Sequence, residues 1–241
     1  MTMLKKIAVG VATLGVTAAG AYALLIRPWH LHWGATNEEI HQSLAGDALI
    51  PHPKMESTRA ITIQARPADI WPWLVQIGLG RGGLYSYDWL ENLLPKSAIG
   101  AGITNAERII PEFQHLEAGD SILISPTTGL TVAEIVPNQV LVLRLTMSPL
   151  TGMPVDPNDP ALGAYLDWSW TFALHVLDEQ TTRLIARVRA DYQPHLWLAP
   201  LVYLVEPVHF MMERKMLLGI KQRAEKGDRL VRIERPVVME T

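Results

Sequence analysis

Asp88, Glu112 and His115 are side chains of the kind that move protons, and a carboxylate and an imidazole facing one pocket would support general acid–base chemistry. No pair among them has a spacing that demands such a role, so they are weak candidates. Tyr85, Tyr87 and Trp89, beside Asp88, add hydroxyls and rings that suit the mouth of a binding pocket, or equally a buried aromatic set with satisfied hydroxyls. His30 and His32 lie two apart with no third ligand near in sequence, so no metal site is expected. With no cysteine in the chain, disulfides, thiolate metal sites and a cysteine nucleophile are excluded.

The run Gly78-Leu79-Gly80-Arg81-Gly82-Gly83 matches the dinucleotide fingerprint letter for letter. That fingerprint needs its first glycine to follow a strand, so that a pyrophosphate meets the next helix N-terminus. Here the first glycine follows a helical pattern, no alternating strand and helix pattern comes after it, and no nucleotide or other cofactor is expected. The glycines are read instead as a flexible hinge between two short helices.

The elements that must position these residues follow from periodicity. Ile61, Ile63 and Ala65 alternate with Thr62 and Gln64, a half-buried strand opening at Thr58. Pro67 or Asp69 starts a helix whose Trp71, Leu74, Val75 and Gly78 share one face, and a second helix is expected over Leu84 to Leu94. Short strands are expected at Ala106 to Ile110, Ser121 to Ser125, Leu130 to Val136 and Val140 to Thr146, the last two joined through Pro137. Ser148 to Gly163 is a long loop rich in Pro, Gly and Asp, either a lid over a cavity or a plain connection.

The strongest strand is Tyr165 to Leu177, with Trp168, Trp170 and Phe172 on one face, paired with Thr182 to Tyr192 in a long hairpin. A two-residue turn through Glu179-Gln180 would put Arg187 and Arg189 on the aromatic face, and a three-residue turn would put them outside. The outward register is favoured because a buried unpaired guanidinium is costly and an outer ion pair with Asp167 is accessible. Tyr192 to Met212 is apolar but broken by Pro194, Pro200 and Pro207, a helix pair or a surface that touches lipid. A long helix from about Val208 to Lys226 closes the domain, with Met212, Met216 and Ile220 at four-residue spacing.

The chain has 241 residues and a formal net charge of -3, which gives no basis for a polyanionic partner and argues against nucleic acid. Lys5-Lys6 precede an uncharged run from Ile7 to Ile26, long enough to span a bilayer as a helix. Ala21-Tyr22-Ala23 offers a cleavage site, so residues 1–27 are a membrane anchor or a signal segment. The charge balance places the domain on the extracytoplasmic side, with secretion after cleavage as the alternative. Residues 28–57 form a connector. In it Thr36 and Glu39 make a capping box, and Trp29 and Trp33 lie at a membrane interface or pack on the domain.

The order is α+β, a run of antiparallel strands followed by a long C-terminal helix. The opening segment Ile61 to Leu74, the Gly119-Asp120 turn, the Val132 to Arg144 hairpin and the tail Met216 to Glu225 carry a resemblance. The chain resembles the helix-grip fold of the START-like, or SRPBCC, superfamily, which includes lipid-transfer domains, plant hydrophobic-ligand binders and polyketide cyclases. It does so over residues 58–227, leaving 228–241 as a tail. The resemblance implies a curved sheet wrapped around the C-terminal helix and a cavity between them for an apolar molecule. The expected lining is Tyr85, Tyr87, Trp89, Trp168, Trp170, Phe172, Arg187, Met212 and Met216, and the expected partner is a lipid or other hydrophobic small molecule. Two alternatives stand beside it: a cyclase- or dehydratase-like enzyme working through Asp88, Glu112 or His115, and a ligand-free envelope interaction domain.

Overall fold

The computed structural model describes residues 17, 20–86, 105–159 and 163–234. A wide helical turn, Tyr22–Ile26, runs directly into α1, Arg27–Leu31, and α2 spans Asn37–His41. Thr36 caps α2 as its sequence demands: the Glu39 amide donates to the Thr36 hydroxyl and the Thr36 amide to the Glu39 carboxylate. Strand β1 is Met55–Ile63 and helix α3 is Pro67–Val75. Strands β2, Ser121–Leu123, β3, Gly129–Val136, and β4, Val140–Met147, precede the long pair β5, Tyr165–Asp178, and β6, Thr181–Gln193. Helix α4, His195–Glu234, ends the described chain.

The strands form one antiparallel sheet in the order β1-β6-β5-β4-β3-β2, with α3 and α4 packed on one face. Alternation decides what each face carries. Ile63 of β1, Leu141 and Leu143 of β4, Phe172 and Leu174 of β5 and Leu184 and Ala186 of β6 point toward the helices, where they meet Leu74, Met216, Leu217 and Ile220 in a single core.

The β5–β6 register puts Arg187 opposite Thr171 and Arg189 opposite Ser169, with both arginines on the outer face. The turn is the two-residue one, Asp178 pairing with Thr181, and a bulge between Val176 and Asp178 restores the outward register. The expected ion pair with Asp167 is replaced, because Arg144 engages that carboxylate through two bonds of 2.9 and 2.7 Å. Arg187 instead donates to Asp47 and to the carbonyls of Glu39, Ile40 and Gln42, while Arg189 donates to Glu56 and to the Asp47 carbonyl. Residues 39–47 are thereby strapped across the outer face of the sheet.

Three local expectations are corrected. Ala106 to Ile110 is not a strand, because its backbone is used by the buried amide of Gln76, which donates to the Arg108 carbonyl and accepts from the Ile110 amide. The glycine run is a closed loop rather than a hinge between helices: Gly78 and Gly83 form an antiparallel bridge, and residues 84–86 are not helical, with Tyr85 at φ 52°. A Cβ on Gly82 would lie 2.8 Å from the Gln76 carbonyl, so the closure requires glycine there. The remainder of the expected second helix, 87–94, lies outside the described residues. Finally, α4 begins at His195 and carries Pro200 and Pro207 within it, so the apolar stretch and the closing helix are one element.

Candidate functional site

Between the sheet and the first half of α4 lies a space of about 300 Å³. The sheet contributes Met55, Leu145, Leu166, Trp168 and Ala190, and the helix contributes Leu201, Val202, Val205, Glu206 and His209. The geometry follows from two periodicities. Met55, Trp168 and Ala190 share the inward parity of their strands, and Val202, Glu206, His209 and Glu213 recur at the spacing that keeps one helix face on the sheet. That stripe continues as Met216, Leu217, Ile220 and Ala224, which are fully packed. Leu201 and Val205 are half-exposed, so the space reaches the surface at that edge.

A polar cluster bounds the space. Glu213, fully buried, accepts the Trp170 indole N–H at 2.7 Å and pairs with Arg59. Arg59 also donates from Nε to the His30 carbonyl at 2.7 Å and from a terminal nitrogen to His209 Nδ1 at 3.3 Å. Two buried charges are tolerable because they are paired and hydrogen-bonded. Burial, aided by the Arg59 charge and opposed by Glu213, lowers the His209 pKa to about 4, so its ring is neutral at physiological pH. Its Nε2 is buried with no hydrogen-bond partner among the described residues. At the rim, Arg27 grips Glu206 through bonds of 2.7 and 2.8 Å and lies over the Tyr203 ring. The rim thus ties α1 to the middle of α4.

The expected lining residues separate. Trp168 lines the space, tilted against Trp170 and edge-on to His209. Trp170, Phe172 and Met216 belong to the packed core deeper in the groove, and Met212 is half-buried on α4. Arg187 is only 3 % exposed but lies on the opposite face of the sheet, with its donors taken by residues 39–47 and by Thr58, so it does not face the space. Tyr85 is buried elsewhere: its hydroxyl accepts from Gln76 at 2.9 Å, it packs on Trp73 and Arg223, and burial raises its pKa to about 12. Tyr87, Asp88 and Trp89 lie outside the described residues.

Glu112 and His115 are exposed and are not among the residues that line this space. Among the described residues no group of three His, Asp or Glu could hold a metal ion. The described part of the long loop, through Pro157 and Asn158, borders a polar groove with Arg144, Tyr165, Asp167 and Asp191, not the apolar space. In that groove Tyr165 donates to Asp191 at 2.6 Å, Lys54 pairs with Asp191, and Arg144 pairs with Asp167.

The residues the sequence reading passed over are Arg59, Glu206, His209 and Glu213. Their signal was present: Arg59 has the parity of Ile61 and Ile63, and the three α4 residues sit on the stripe of Met216 and Ile220.

No family model matches the chain, and no curated protein matches it in sequence. Solved structures do match at low identity. A hypothetical protein, jhp0584, from Helicobacter pylori is 11 % identical over 76 % of this chain and 95 % of its own, with a TM-score of 0.40. Protein MLL2253 from Mesorhizobium loti is 16 % identical over 71 % and 98 %, with a TM-score of 0.39. Norcoclaurine synthase from Thalictrum, bound to a transition-state analogue, is 13 % identical over 72 % and 96 %, with a TM-score of 0.38. The sheet order and the long closing helix are those of a helix-grip fold.

Proposed function

We propose that the chain holds a hydrophobic small molecule, such as a lipid or the apolar part of one, in the space between the sheet and the first half of α4. The observation that carries this is the space itself: about 300 Å³ with almost wholly apolar walls, at the small end of the usual range for ligand sites. Transfer of apolar surface from water to these walls would drive binding, and the indole of Trp168 offers a broad face to it.

The reading extends to a membrane tether through Ile7 to Ile26. Among the described residues no helix is long and apolar enough to cross a membrane, and most of that run lies outside them. Its described end supports a nearby lipid surface. Leu24, Leu25 and Trp29 are exposed, and α1 lies along α4 through the Arg27–Glu206 pair and the contact of Trp29 with Phe210. On α4 the outward residues Leu201, Leu204, Val208 and Met211 continue the same apolar surface before Arg214 and Lys215 end it. The space reaches the surface within this patch, which suits uptake from the lipid side.

Equilibrium dialysis of the full chain against 2-ethylnaphthalene tests the binding site. One molecule is expected per chain, with saturation lost when Val202→Trp fills the space and the melting temperature is retained. Equal binding by both proteins would remove the site from this groove.

A further inference from the structure

The apolar walls carry a polar group, the His209 imidazole, whose hydrogen-bonding capacity is not fully used among the described residues. His209 Nδ1 lies 3.3 Å from an Arg59 terminal nitrogen, and a guanidinium can only donate, so Nδ1 must accept. A neutral imidazole has one N–H, which therefore sits on Nε2. Nε2 is buried without a partner among the described residues, on a side chain that lines the space. A buried donor left unpaired carries a desolvation cost that a bound acceptor would relieve.

We propose that His209 is a ligand-recognising residue whose Nε2–H donates to an oxygen on the molecule held beside Trp168. This rests on the apolar binding site proposed above and narrows its ligand to an apolar compound with a neutral acceptor, a carbonyl, ether or hydroxyl oxygen, on its buried part. The charges around the imidazole favour a neutral group. Arg59 from β1 is paired with Glu213 and Arg27 from α1 with Glu206, so neither cation is left to balance a ligand carboxylate. A second positive charge would meet no spare carboxylate either, because both oxygens of Glu206 are held by Arg27.

The test uses two probes of matched shape, 2-acetylnaphthalene and 2-ethylnaphthalene, which differ in a carbonyl oxygen. Both are titrated by calorimetry into the full-length wild type and His209→Phe, which keeps a ring but lacks a donor. Comparing the ketone-to-ethyl affinity ratio between proteins cancels the difference in hydrophobicity of the probes. The ratio is expected to fall about 2- to 10-fold in His209→Phe, the worth of one hydrogen bond. An unchanged ratio with both probes binding overturns the role of His209 and leaves the apolar site standing. Binding of neither probe by the wild type removes the site and this inference with it. Should His209→Phe fail to fold, the wild-type imidazole nitrogens read by NMR decide: the ketone alone should shift the Nε2–H resonance, and an Nδ1–H tautomer or equal shifts from both probes would refute the inference.

Discussion

The groove between the sheet and α4 is built from the same strands and the same helix along its length, yet its two ends differ. At the end formed by Phe172, Leu184, Leu217 and Ile220 every one of these side chains is fully buried and the layers interdigitate. At the end formed by Met55, Trp168, Ala190 and Val202 the layers stand apart around about 300 Å³, and the helix is apolar on its outer side as well. The buried Arg59–Glu213 pair with the Trp170 indole divides the two. A charged, hydrogen-bonded partition cannot collapse into a hydrocarbon gap without losing its partners, so it props the open end while the closed end carries stability.

Substitutions should separate the two ends most strongly. Phe172→Ala at the closed end should cost about 3–5 kcal/mol in chemical denaturation, because little around it can relax. Leu166→Ala, beside the open space, should cost less than about 2 kcal/mol, since its neighbours already lack full packing. Similar losses at both sites would mean that the two ends are equally packed.

Acid should strike at the partition. The folded-state pKa of His209 is depressed from 6.5 to about 4, so the unfolded chain binds the proton more readily. The stability associated with the neutral ring is therefore complete above pH 6.5 and lost as pH falls through about 4, on the order of 3 kcal/mol. As the solution is acidified across this window, the unfolding free energy of the wild type should fall relative to that of His209→Phe. Parallel curves would show that the imidazole is not held neutral by Arg59 and burial.

A smaller, spectroscopic effect separates the two ends by their surroundings. The chain has no cysteine, so Leu204→Cys or Val176→Cys takes a single environment-sensitive nitrobenzoxadiazole label. Both positions are exposed, at 72 % and 64 %, the first beside the open end and the second at the far hairpin turn. In phosphatidylcholine vesicles the emission of the label at 204 should shift to the blue and that at 176 should not. Equal shifts, or none, would count against a lipid surface at the open end and leave the Leu204 stripe for a protein partner.

Much of this arrangement was legible in the sequence. The alternation around Trp168 to Phe172 identified the inward face of β5 and the Thr36 capping box formed as written; Arg187 took the outward register that the cost of burying an unpaired guanidinium favours, although it was also counted among the expected lining. The turn length misled, because the bulge between Val176 and Asp178 shifts the register by a residue and leaves no mark in composition. The prolines at 200 and 207 read as breaks, yet the helix runs through both. The site itself was half visible. Apolar periodicity pointed to the groove, but which end would pack solid depends on side chains from four strands meeting one helix. The polar members were missed because Arg59, His209 and Glu213 become a cluster only when β1, β5 and α4 come together.

We propose that the open end of the groove, and not the surface patch next to it, receives an apolar molecule. Intermolecular NOEs from 2-ethylnaphthalene to methyl-labelled full-length protein test this most directly. NOEs are expected to the methyls of Met55, Leu145, Leu166 and Val202, with none to Leu217 or Ile220 at the closed end. NOEs confined to the exposed methyls of Leu196 and Leu204 would show adsorption on the patch and contradict it.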